Sequence, residues 1–142
     1  MISTALISSN VSSSPEVQRF EKELAALPQL NQEVHHEVFG GLYTRTGCIP
    51  AGVAFTGQVH KHDHINIVVG DISIVTESGL LRLTGYNVLP TKAGSKRVAF
   101  THSETYWTTI LATDLTDVQA IEDWAVEDSN KLTTRLPQIK WG

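Results

Sequence analysis

Three histidines at alternate positions form the pattern in this sequence that best suits a metal-binding site. His60, His62 and His64 follow one another in the segment 57–66, and Asn66 comes two positions later. Side chains alternate between faces along a β-strand, so these four would share one face. Neutral imidazole is a common metal ligand, and residues two apart on a strand can both reach one ion. The pattern predicts a polar pocket with a divalent transition metal as a candidate cofactor.

Strand geometry limits that metal hypothesis. Lys61 and Asp63 fall on the opposite face, which suits solvent. In a regular strand His60 and His64 stand about 13 Å apart, so one ion could hold all three histidines only if a bulge brought them together. A complete metal centre would also need a ligand from another strand. A polar, water-filled pocket without a metal is the alternative, and the sequence leaves both open.

The cysteine and the other histidines do not indicate a functional site. Cys48 is the only cysteine, so it forms no intrachain disulfide and marks no oxidising compartment. We expect it to be a small, partly buried residue. His102 is expected in an exposed turn, and His35 and His36 in a linker.

Composition bounds the class of protein. The chain has 142 residues, 41% of them hydrophobic and 18% charged, with a net charge of −4. These values predict one packed domain, and they argue against a basic surface that follows a nucleic-acid backbone. No apolar run approaches the roughly 20 residues that span a bilayer. The start of the chain lacks the basic region of a secretory signal. We therefore expect no nucleic-acid or membrane partner, and a location in a cytosol or in something that is assembled in a cytosol.

A helix is predicted near the start of the chain. Ser14 can cap it, Pro15 suits its first position, and Pro28 ends it. Its apolar residues recur on one helical face: Val17, Phe20, Leu24 and Leu27. A second amphipathic helix is expected after Thr116 or Asp117.

Between these helices the hydrophobic period changes to two, from residue 42 to residue 112. Glycine, proline and asparagine interrupt it at short intervals, which predicts seven or eight strands. Hairpin turns are expected at Gly70-Asp71 and Ser78-Gly79. The chain divides into an N-terminal arm and amphipathic helix (1–40), a β-barrel (41–114), and a C-terminal helix and tail (115–142). The fold class is all-β, because no parallel βαβ alternation is visible.

The histidine segment resembles the first motif of the cupin superfamily, in which His-x-His is followed by a glutamate and a later glycine. His60 and His62 match the two histidines, Asn66 stands where the glutamate belongs, and Gly70 matches the glycine. The segment 90–97 resembles the second cupin motif. Arg97 occupies the position of its metal-binding histidine.

This resemblance implies a jelly-roll barrel with flanking helices and a pocket. His60, His62 and His64 are the candidate metal ligands. Arg97 and Asn66 are the candidate cofactor- or ligand-binding residues. Arginine stays protonated in proteins and does not bind metals, so Arg97 would favour a small anionic ligand.

Three segments (48–52, 60–67, and 93–97 with 107–110 and 112–114) also resemble small cupin-like proteins carried by tailed bacteriophages. For such a protein we expect a location in the host-cell cytoplasm or in a virion. This resemblance implies a phage origin, and it implies no reaction. We expect a non-enzymatic accessory or virion-associated binding protein. The alternatives are a metal-dependent cupin enzyme of the dioxygenase or isomerase type, and a module that sequesters a small anion or nucleotide. Expected partners are further copies of the chain, at least as a dimer, or phage structural proteins.

Overall fold

The strands of the chain form one curled sheet. The computed structural model describes residues 3–4, 15–25, 33–76 and 78–132. Over these residues the strands are β1 (Ser3–Thr4), β2 (Glu33–Phe39), β3 (Leu42–Ile49), β4 (Ala54–Thr56), β5 (His64–Thr76), β6 (Gly79–Thr91), β7 (Val98–Thr101) and β8 (Thr105–Ala112). The helices are α1 (Pro15–Ala25) and α2 (Val118–Ala125), and a short 3-10 helix follows at Ser129–Lys131.

The sheet curls because its long central strand changes partner halfway along one edge. The order is β1-β6-β5-β8-β3-β2, and β7 pairs with both β4 and β5. One edge of β5 pairs with β6 over its whole length, whereas the other pairs first with β8 at 65–69 and then with β7 at 72–74. Gly70 lies at the change. A Cβ there would collide with Thr105 and would lie 2.8 Å from the Glu104 carbonyl oxygen, so this close approach requires glycine.

The passage through Gly70 corrects one prediction from the sequence. The hairpin turn expected at Gly70-Asp71 is wrong, because β5 runs unbroken through both residues. The turn expected at Ser78-Gly79 is confirmed to within a residue: Thr76 ends β5 and pairs with Gly79, which begins β6.

The stretch before β3 is also more regular than predicted. His35 and His36 lie in β2, which pairs along its length with β3, so the expected linker there is wrong. Gly40 and Gly41 join the two strands with φ values of 61° and 77°. Positive φ at both central residues is what a tight two-residue hairpin requires.

The second helix covers the inward face of the sheet at one end. α2 begins after Asp117, whose side-chain oxygen accepts a 2.9 Å hydrogen bond from the Ala120 N–H. This cap was predicted, and it satisfies a backbone donor that the first helical turn leaves open. Ile121 and Ala125 then pack against Tyr43 and Leu111.

The predicted all-β class with accompanying helices is confirmed by this curled sheet and the two described helices. The apolar stripe predicted for α1, the arm at 5–14 and the tail from 133 onward lie outside the described residues. Among the helices that the structure describes, none is long and apolar enough to cross a bilayer.

Candidate ligand-binding pocket

A cavity of about 170 Å³ lies between the inward face of the sheet and α2. Apolar side chains form much of its wall, including Tyr43, Phe55, Trp107 and Leu111. Six further lining residues carry the polar chemistry: Arg45, His60, His64, Asn66, Arg97 and Glu122.

Asn66 is the centre of a buried hydrogen-bond network. Its Oδ1 accepts hydrogen bonds from Trp107 Nε1 (3.1 Å) and Thr109 Oγ1 (3.0 Å). Its Nδ2 donates to Thr91 Oγ1 (2.9 Å) and, at 3.4 Å, to His64 Nε2. An amide side chain offers two donors and two acceptor sites, so all four are in use. Asn66 therefore joins β5 to β6 and β8 and fixes the polar wall.

His60 and His64 come together in this wall with ring centroids 4.2 Å apart. Residues 61–63 form a bend, and β5 begins only at His64, so the regular strand predicted through all three histidines is wrong. The bend brings the two rings far closer than a straight strand would.

Both of these imidazoles are held neutral. Burial, together with smaller contributions from the nearby His64, Arg45 and Arg97, lowers the pKa of His60 to about 3. Burial also lowers the pKa of His64, with a contribution from Arg97. The His64 Nδ1–H donates to the His62 carbonyl at 2.9 Å, so its Nε2 is the acceptor that faces Asn66. At neutral pH both rings act as neutral hydrogen-bonding groups.

His62 lies apart from the pocket lining. Its ring stacks on Trp124 with centroids 3.9 Å apart, and its Nε2 donates to the Trp124 carbonyl at 3.2 Å. The neighbouring Lys61 donates from Nζ to the Asp123 carbonyl and from its backbone to the Ala125 carbonyl. These bonds satisfy carbonyl groups that the last turn of α2 leaves open. The segment 61–62 therefore fastens α2 over the pocket.

Arg97, the candidate ligand-binding residue from the second motif, lines the pocket. It is buried, and its Nη2 donates to Thr91 Oγ1 at 2.9 Å. Thr91 also accepts from Asn66, so Arg97 belongs to the same network.

Arg45 and Glu122 are pocket residues that our sequence analysis did not single out. Arg45 lies on β3 in the same inward-facing phase as Tyr43 and Ile49. That alternation was the available signal. Glu122 lies four residues after Val118 on α2, on the face that packs on the sheet, and it is buried. Burial lowers the pKa of Arg45, whereas Tyr43 and Glu122 act in the opposite direction.

The donor set does not fit a divalent metal. His62 is stacked on Trp124, Asn66 Oδ1 already accepts two hydrogen bonds, and Arg97 is a cation. Within the described residues, no group of three histidine, cysteine, aspartate or glutamate side chains could hold an ion. His60 and His64 alone would leave most of a tetrahedral or octahedral shell to other groups. The metal site predicted at His60, His62 and His64 gains no support from this geometry.

Several solved cupin structures are similar to this chain. A cupin superfamily protein from Desulfitobacterium hafniense has a TM-score of 0.46 and 11% identity, over 64% of this chain and 87% of that one. The cupin domain of Schizosaccharomyces pombe Cnp3 has a TM-score of 0.46 and 13% identity, over 80% and 78%. A cupin 2 conserved barrel domain protein from Salinispora arenicola has a TM-score of 0.45 and 13% identity, over 70% and 89%.

No family model matches the chain, and no curated protein sequence matches it. The function of the pocket has to be argued from its own side chains.

Proposed function

We propose that this chain is a non-enzymatic binding protein that holds a small anion in the pocket lined by Arg45 and Arg97. The observation that carries the proposal is a pair of guanidinium groups in one largely apolar cavity. Both groups lie near enough to His60 to lower its pKa. Two guanidinium groups in one cavity create a positive potential there, which favours an anionic occupant.

The hydrogen-bonding state of Arg45 strengthens this argument. Its Nε and Nη2 are buried, and neither has a hydrogen-bond partner among the described residues. A buried donor without a partner costs about 1–3 kcal/mol, and such donors usually have a bound water or ion as their partner. An anion in the cavity would satisfy both nitrogens.

The remaining polar residues suit binding. Asn66 and Thr91 fix the position of Arg97 through hydrogen bonds. His60 and His64 are neutral and close together, so they can donate or accept hydrogen bonds without competing with the anion for the guanidinium groups. Together these groups form a polar wall opposite the apolar one.

Thermal unfolding in the presence of small anions tests the proposal. Acetate, benzoate and inorganic phosphate would each be titrated against the full-length protein. A ligand at a hundred times its dissociation constant stabilises a protein by about 2.7 kcal/mol, or roughly 6–10 °C for a domain of this size. We expect such an increase for at least one anion, and none for sodium chloride at equal ionic strength.

Matched arginine variants localise the effect. Arg45→Met and Arg97→Met should remove the ligand-dependent increase while the unliganded protein stays folded, because a well-packed apolar residue can replace a buried charge. Arg82→Met is the control, since Arg82 pairs with Asp71 on the surface, away from the pocket. If no anion stabilises the parent, or if all three variants respond alike, the pocket does not bind anions.

The phage accessory role that the sequence resemblance implies is part of the same proposal. Its support is the likeness of the segments 48–52, 60–67 and 93–97 to small phage proteins. Mass spectrometry of purified phage particles would separate a virion component from a protein that remains in the host cytoplasm. Association with further copies of the chain is tested by light scattering after gel filtration.

A further inference from the structure

We infer that the anion is a carboxylate attached to a compact apolar group, and that Arg45 donates a hydrogen bond from Nε and one from Nη2 to its two oxygens. The inference rests on the proposed anion-binding function and narrows the ligand to a chemical class.

Nε and Nη2 of an arginine form one edge of the planar guanidinium group, with two N–H bonds pointing the same way. That spacing matches the two oxygens of a carboxylate. The protein itself shows the pairing on its surface: Arg82 Nε and Nη2 donate to the two carboxylate oxygens of Asp71 at 2.9 Å and 2.8 Å. Arg45 presents the same two atoms, buried and without a partner among the described residues.

The neighbours of Arg45 favour a single carboxylate over a more highly charged group. Glu122 lines the same cavity and acts on the Arg45 charge, so the formal charges of the two guanidinium groups and this carboxylate leave one positive charge. A single carboxylate would balance that charge, whereas a dianion such as phosphate would exceed it. Tyr43 and His36 complete the surroundings of Arg45, and the Tyr43 hydroxyl is hydrogen-bonded to His36 Nδ1 at 2.7 Å.

The apolar wall of the cavity limits the size and polarity of the part of the ligand that carries the carboxylate. Phe55 and Trp107 meet edge to face with centroids 6.1 Å apart, and Ile49 and Leu111 line the cavity with them. An apolar cavity of about 150 Å³ in another protein holds benzene, so about 170 Å³ suits a six-membered ring or short alkyl chain with one carboxylate. The ligand class is therefore a monocarboxylate of about six to nine non-hydrogen atoms.

Isothermal titration calorimetry with matched probes tests this class. Benzoate, cyclohexanecarboxylate and hexanoate represent the class. Benzenesulfonate keeps the ring and the single negative charge, but its sulfonate is tetrahedral where a carboxylate is planar. Benzamide keeps the ring and a planar polar group without the charge. Acetate keeps the carboxylate without the large apolar group. We expect at least one of the three carboxylates to bind at least tenfold more tightly than acetate, benzenesulfonate and benzamide.

Arg45→Lys distinguishes this pair of hydrogen bonds from simple charge attraction. Lysine keeps the positive charge but lacks the two parallel N–H donors of arginine, so the affinity for the best carboxylate should fall about ten- to a hundredfold. The affinity for benzenesulfonate should change much less. Arg82→Lys serves as the matched control and should leave both affinities unchanged.

The outcomes separate the two proposals. If benzenesulfonate or phosphate binds as tightly as the carboxylates, or if Arg45→Lys binds carboxylates normally, the carboxylate inference is overturned and the anion-binding function stands. If none of the anions binds the parent at millimolar concentration, both fail. If benzamide equals benzoate, the cavity recognises the ring and not the charge, which also overturns both.

Discussion

The inward-facing side chains of β5 are polar in one part of the strand and apolar in the other. At the start of β5 the inward side chains are His64 and Asn66, which line the pocket. Further along they are Val68, Ile72 and Ile74, which are fully buried in an apolar cluster. The alternation of faces is the same in both halves. The difference lies in what each half meets across the sheet. The apolar half packs for stability, whereas the polar half uses hydrogen bonds to fix a binding surface.

The position of an inward side chain along β5 decides whether it lines the pocket or packs in the apolar cluster. Gly70 marks the point where β5 leaves β8 and pairs with β7. His64 and Asn66 face the cavity under α2. Val68, which also pairs with β8, and the residues after Gly70 face the cluster that includes Leu83 and Ala99. Substitutions in the two halves should therefore affect different properties.

The largest expected effect on stability is in the apolar half. Ile72→Ala removes a fully buried side chain from the cluster, and the cavity it leaves should lower the free energy of unfolding by about 3–4 kcal/mol. Urea denaturation measures the loss. Because Ile72 is not part of the pocket lining, the variant should bind anions with parental affinity at temperatures where it is folded. A loss of affinity equal to that of Arg45→Met would contradict the division of roles.

The next effect is in the polar half. Asn66→Leu keeps the volume but leaves Trp107 Nε1 and the Thr109 hydroxyl without their acceptor, so we expect a loss of about 2–3 kcal/mol. The variant should also bind anions more weakly, because Thr91 and Arg97 lose their support. Asn87→Leu is the control: Asn87 is also buried on the sheet, and its Nδ2 donates to the Thr84 carbonyl outside the pocket network. It should leave anion affinity unchanged.

Acid should weaken the polar half selectively. The unfolded chain protonates His60 below its ordinary pKa of about 6.5, whereas the folded chain does so only near pH 3, because burial lowers the pKa of this ring to about 3. The contribution of His60 to stability is therefore complete above pH 6.5 and is lost as pH falls toward 3. At about 1.4 kcal/mol per unit, the loss is about 2 kcal/mol at pH 5.

Urea denaturation at pH 7.5 and pH 5 checks this dependence. His60→Gln should reduce the difference between the two pH values by about 2 kcal/mol. His102→Gln is the control, since His102 is exposed in a turn and bonded to Ser73, and it should keep the parental difference. Equal pH dependence in all three proteins would show that His60 is not buried in its neutral form.

The smallest effect is expected at His62, which the strand pattern grouped with His60 and His64. His62→Ala removes the stack on Trp124 and one hydrogen bond to α2, and should cost about 1 kcal/mol. Anion affinity should stay within twofold of the parent, whereas His64→Ala should lower it. If His62→Ala abolished binding, the ring would have to belong to the pocket after all.

The sequence by itself determined the all-β class, both helices, the cap at Asp117 and the placement of a polar wall near residues 60–66. These follow from local rules, because hydrophobic period, capping residues and polar groups within an apolar pattern act over a few neighbouring positions. Arg97 was also expected to favour an anion, since its charge does not depend on the fold.

The tertiary structure alone decided which of these residues meet. The bend at 61–63 separates His62 from the pocket and brings the ring centroids of His60 and His64 to 4.2 Å from each other. No local sequence pattern predicts this bend. The unbroken path through Gly70 depends on the close approach of Thr105, which is distant in sequence. Arg45 became a pocket residue only when β3, β8 and β5 paired in register, with Arg45 opposite Thr109 and Thr109 opposite Asn66. A sequence fixes which side of a strand a residue occupies, but contacts between strands depend on register, and register is settled only when the whole sheet forms.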